Sequence, residues 1–87
     1  LHMIRLKRKS QTKHKKKIAA AVYLYQVDND GEWGEISFDF EAGTAEIIRL
    51  AEWDTAINKR VAKETIENLK SHENSKLPRK ACYISKL

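Results

Sequence analysis

No acidic side chain occurs before Asp28 in this 87-residue chain. The first seventeen residues instead hold eight cations: Arg5, Lys7, Arg8, Lys9, Lys13, Lys15, Lys16 and Lys17. Cysteine is nearly missing as well. Cys82 stands alone, which excludes an internal disulfide and makes a reducing, cytoplasmic setting the expectation. Three glycines and one proline leave no glycine-rich phosphate loop, no Gly/Ser linker and no repeat. No apolar run approaches the ~20 residues of a membrane span, and the start lacks the apolar stretch of a secretory leader, so no membrane partner is expected. Leu1 and His2 read as a cloning remnant before Met3, because His-Met is what a common cloning junction encodes.

Those shortages bound the rest. A chain this short buries roughly 60–65% of its unfolded surface, enough for one domain with a thin core and little room for an enclosed active site. Charge is distributed in blocks. The basic segment 1–17 is followed by ten uncharged residues. Residues 28–54 then carry nine acids against Arg49 alone, and residues 55–87 carry eight cations against three acids. The net charge of +5 hides this segregation. Two units are expected, a basic arm over 1–17 and an α+β domain over 18–87.

"IAAAVYLYQV", residues 18–27, is apolar almost throughout and reads as a central strand. "DNDG" marks a turn, and "WGEISFDFE" alternates Ile36, Phe38 and Phe40 with Glu35, Ser37 and Asp39, a half-buried antiparallel strand. A third strand follows "EAGT". Asp54 stands where a helix cap belongs, and Ile57, Val61, Ile66 and Leu69 recur at helical spacing over about 55–70. "RKACYISKL" suits a last strand at a sheet edge, and "MIRLKRK" alternates as another edge strand would. The expectation is α+β: an antiparallel sheet of three to five strands with one helix on one face. A three-residue turn Asn29–Gly31 would pair Leu24 with Ile36 and leave Tyr23 and Tyr25 outward among Glu35 and Asp39. A two-residue turn would turn them inward. The first is preferred because it uses Gly31. The expected core is then Val22, Leu24, Ile36, Phe38, Phe40, Ile48, Leu50, Ile57, Val61, Ile66 and Leu69, with Trp53 at the helix entrance.

Chemistry-bearing patterns are few. Asp28, Asp30 and Gly31 are spaced as in a calcium loop, but Gln26 and Ser37 stand where its first and last carboxylates belong. His14, His72 and Cys82 have no companions at ligand spacing, so neither metal nor cofactor is expected. Ser37 and the sheet carboxylates have no oriented base beside them, and no catalytic residue is assigned. Three strands followed by a helix containing "NKRVAK" are similar, over residues 18–70 at most, to the latter part of a double-stranded-RNA-binding domain. There a lysine pair opening the helix grips phosphates. That resemblance would give Lys59, Arg60 and Lys63 the phosphate contacts. Here the first helix is missing and "DTAIN" replaces the glycine-bearing approach, so the chain is not assigned to that family.

Two non-catalytic functions fit the charge. The leading one is nucleic-acid binding by Arg5, Lys7, Arg8, Lys9, Lys13, Lys15, Lys16 and Lys17, joined by Lys59, Arg60 and Lys63. The alternative is a protein-interaction or inhibitor module of the immunity-protein kind, with an acidic sheet face built from Tyr23, Tyr25, Trp33, Glu35 and Asp39 that meets a basic partner. The arm would then serve assembly, including homo-oligomers through contact of the opposite charges, or would itself meet an acidic partner.

Overall fold

The computed structural model describes residues 1–54 and 59–87. Five antiparallel strands form one sheet: β1 (His2–His14), β2 (Lys17–Val27), β3 (Gly34–Asp39), β4 (Thr44–Arg49) and β5 (Lys80–Ser85). Their spatial order is β4-β3-β2-β1-β5. A short 3₁₀ turn (Glu52–Asp54) leads towards a single helix, α1 (Arg60–Lys70), which packs on one face. The α+β expectation holds, with the strand number at the top of its range. No helix among the described residues is long and apolar enough to cross a membrane.

The basic segment is neither loose nor, over its first half, an edge. Residues His2 to Lys7 pair with β5 on one side, and Ile4 to His14 pair with β2 on the other, interrupted at two bulges. Two of the features the sequence does carry explain this. Ile4 and Leu6 alternate with cations and are fully buried, so the segment has a hydrophobic face to hide. The hairpin then closes at Lys15 and Lys16, with φ of 52° and 68°, between the paired residues His14 and Lys17. Two left-handed central residues make this a type I′ turn, the form that matches strand twist and ordinarily uses Asn-Gly. Lysine there costs roughly 1–2 kcal/mol per residue.

A second left-handed pair overturns the expected register of β2 and β3. Asp28 and Asn29 have φ of 56° and 58°, and the Asp30 N–H donates to Val27 O at 3.4 Å. The chain therefore reverses at Asp28–Asn29, one residue ahead of the Asn29–Gly31 turn preferred on sequence. The strands pair from Tyr25↔Gly34 onward, with Tyr23 opposite Ile36 and Leu24 opposite Glu35. One residue of slip turns a strand over. Tyr23 and Tyr25 are 0% exposed in the core, while Val22 and Leu24 are half-buried on the other face.

The rest of the core is partly as expected. Ile36, Phe38, Val61 and Leu69 are buried, joined by Ala62 and Leu77, and Phe40, Leu50 and Ile66 pack against them. Ile48 is corrected: a bulge pairs Ile36 with Ile47 and Glu35 with Arg49, leaving Ile48 51% exposed. Trp53, at 47%, is likewise on the surface. Ile57 and the first expected helical residues, 55–58, lie outside the described residues. The N-cap position is Lys59 rather than Asp54, but the Asp54 side chain still serves the helix start from outside it. Its carboxylate accepts the Val61 and Ala62 N–H groups at 3.0 and 2.9 Å, two of the donors a helix start leaves without partners.

Burial of the tyrosines has a consequence for pH. All three of the chain's tyrosines are shifted upward by loss of water around the phenol. Tyr23 donates to Pro78 O at 2.5 Å, Tyr25 donates to Asp54, and Tyr83 shares a 2.9 Å contact with Thr65. A folded-state pKa above the unfolded value of ~10 gives stability that is complete below pH ~10 and lost as pH rises beyond it. Alkaline titration followed by tyrosinate absorbance should therefore show no independent step near pH 10. The absorbance should rise together with loss of circular dichroism, and tyrosinate formation in a still-folded protein would contradict the burial.

Candidate nucleic-acid interface

The helix covers one face of the sheet, and the open face carries the chemistry. Strand alternation sends Ile4 and Leu6 to the helix side and Arg5 and Lys7 to the open side. A bulge between Arg8 and Ser10 adds one residue to β1. It keeps Lys9 on the open side, where its ammonium lies 3.2 Å from the Glu35 carboxylate. On the other flank β5 sets Cys82 opposite Arg5 and Lys80 opposite Lys7. Like charges directly across a strand pair are unfavourable, so Lys7 and Lys80 concentrate positive potential at a cost to the sheet.

Trp33 reaches this face from the connection before β3. Gly34 sits opposite Tyr25 on the helix side, and its predecessor points the other way. The indole ring lies against β1, with the Lys7 ammonium 4.1 Å and the Arg5 guanidinium 5.4 Å from a ring centroid. Both are cation–π distances. Arg5 is steadied further by Gln26, at 3.4 Å, and by the Asn29 side chain. The Trp33 carbonyl accepts from Arg49 Nε at 3.1 Å.

Two adjoining grooves run over these residues. One, of about 410 Å³, is lined by Arg5, Leu6, Lys7, Trp33, Lys80, Ala81 and Cys82. The other, of about 330 Å³, is lined by Lys7, Arg8, Lys9, Ser10, Gln11, Arg79 and Lys80. Lys7 and Lys80 wall both, and no acid lines either. Glu35, the carboxylate that pairs with the groove-lining Lys9, is held between Lys9 and Arg49 with only 16% of its side chain exposed. Its charge is answered locally.

The expected site residues are thus regrouped. Arg5, Lys7 and Lys9 come together on the open face, whereas Arg8 borders one groove but turns its guanidinium to the helix side, where it donates to Leu77 O at 3.3 Å and to the Tyr23 hydroxyl at 3.5 Å. Lys13, Lys15, Lys16 and Lys17 lie at the far end of the β1–β2 hairpin, all exposed. Lys59, Arg60 and Lys63 are exposed on the helix side, at the end of α1 that Asp54 and Tyr25 hold. Eight strand residues separate Tyr25 from Lys17, about 26 Å, so no ridge joins these helix cations to the hairpin tip. The tyrosine-bearing acidic face does not form either. Tyr23 and Tyr25 are in the core, Trp33 belongs to the cationic group, and Asp39 caps the next turn by accepting the Glu41 and Ala42 N–H groups at 3.1 and 3.0 Å.

Arg79 and Lys80 join the groove walls, a placement that the sequence reading does not include. The lysines flanking the last strand suit edge protection, and nothing in "RKACYISKL" tells that it pairs with "MIRLKRK". Among the described residues no group of three or more His, Cys, Asp or Glu side chains gathers as metal ligands. No protein-family model, curated protein or solved structure matches this chain.

Proposed function

We propose that this chain is a non-catalytic binding module that takes single-stranded nucleic acid on the open face of its sheet. The observation that carries the reading is the Trp33 ring set among Arg5, Lys7 and Lys80 in grooves free of acid. A base needs a π surface and its phosphate needs a cation within a few ångströms, and this face supplies both on a rigid scaffold. A duplex keeps its bases stacked inside and gains nothing from an indole. Single strands offer bases that can leave their neighbours and stack on Trp33 or on the Arg5 guanidinium.

The test uses a 12-nucleotide single strand, with Trp33 fluorescence read in a Trp53→Phe background. Trp33→Ala, followed by a labelled oligonucleotide, should weaken binding by about 1–3 kcal/mol, roughly 5- to 150-fold. Lys7→Ala and Lys80→Ala together should flatten the dependence of log K on log salt by about 1.4, since each phosphate contact on a single strand contributes ~0.7. Neutralising Lys59, Arg60 and Lys63 together should leave affinity unchanged. No binding at low salt, or equal losses from the helix and sheet variants, would eliminate the reading.

A further inference from the structure

The hairpin tip is strained, charged and without ionic partners. Lys15 and Lys16 adopt left-handed backbone conformations that Asn-Gly would adopt more easily. Among the described residues no ion pair engages Lys13, Lys15, Lys16 or Lys17, and the nearby Glu41 carboxylate instead takes His14 at 3.1 Å. Strain retained at an exposed turn is a pointer to function. The tip is also collinear with the Trp33 face, because β1 carries both. From Lys7 to Lys15 is eight residues of strand, about 26 Å. The open side of β1 between them presents Lys9, Ser10 and Thr12, a cation and two hydroxyls.

We infer that the lysine turn is a second phosphate-contact site, so that one nucleic-acid strand lies along β1, stacked at Trp33 and gripped again at the tip. The inference rests on the single-strand reading above and adds a direction and a length to it. Short strands reach only the Trp33 end. Longer ones, within the ~4–16 nucleotides that a sheet-based module covers, reach both ends.

Binding of oligo(dT) from 4 to 16 nucleotides, by wild type and by Lys15→Asn/Lys16→Gly, tests this. The variant should match wild type on the shortest strand and bind the longest at least tenfold more weakly at low salt. Its salt slope on the long strand should be shallower by about 1.4, two contacts at ~0.7 each. It should also unfold at a higher temperature than wild type, because Asn-Gly suits the turn, so weaker binding would not reflect misfolding. Lys13→Gln/Lys17→Gln, which leaves the turn intact, should reproduce the length-dependent loss. Wild-type affinity of both variants at every length would overturn the inference while leaving the Trp33 face in place. Failure of wild type to bind any length would overturn both.

Discussion

Gly34→Ala is expected to remove about 3–5 kcal/mol of folding stability, from overpacking and the loss of buried hydrogen bonds. A methyl group there would fall 2.2 Å from Tyr25 Cε1 and 2.5 Å from the Ala51 backbone nitrogen. Overpacking usually costs ~1–3 kcal/mol because neighbours shift. These neighbours are tied. The Tyr25 hydroxyl donates to Asp54 Oδ2 at 2.5 Å and accepts the Ala51 N–H at 3.0 Å, so a ring that swings away breaks two buried hydrogen bonds at ~1–3 kcal/mol each. A domain of this size has ~4–13 kcal/mol in total. Urea unfolding should show a large fall in midpoint with little change in slope, and a loss below 1 kcal/mol would refute the close packing of Tyr25 on Gly34.

The same knot makes Asp54 the second sensitive position. Its carboxylate is fully buried and, among the described residues, accepts hydrogen bonds from Tyr25, Val61 and Ala62. Asp54→Ala leaves all three donors buried without an acceptor, an expected loss of about 3–5 kcal/mol. At ~4–8 °C per kcal/mol for a domain of this length, the melting temperature should fall by more than ten degrees. Asp54→Asn keeps one carbonyl oxygen but turns an NH₂ towards a donor, so it should fall between Ala and wild type. If Asn melts like wild type, the carboxylate does not hold the helix start in the way described.

How much of this could be read from the chain depends on which signals are local. The alternation of "EISFD" and the helical spacing of Val61, Ile66 and Leu69 are local, and both elements are present. The β2–β3 register is not local. "DNDG" offers several two- and three-residue turns, and the choice falls to whichever side of β2 can pack. Gly34 was the available clue. A glycine opposite a tyrosine gives the ring a place to lie, and only the observed register puts Tyr25 there. The cationic character of residues 5–9 was plain in the sequence, but its partner was not. Trp33 sits in a connection with no periodicity, so its proximity to Lys7 follows only from the placement of β1 beside β2. The alternation of Ile4 and Leu6 with cations marks residues 3–9 as a strand, but its place inside the sheet depends on the distant pairing with residues 80–85.

The first and last strands are neighbours, with His2 across from Ser85. Residues 5–9 and 79–82, which contribute to the walls of the two grooves, are therefore separated by most of the fold's length and leave the ribosome far apart in time. During synthesis the chain can hold a meander of four strands, but it has no groove until residues 80–85 emerge and dock. Any affinity that resides in those walls would arise only once the fifth strand has docked, and a shorter nascent chain would pass the surrounding RNA without capturing it there.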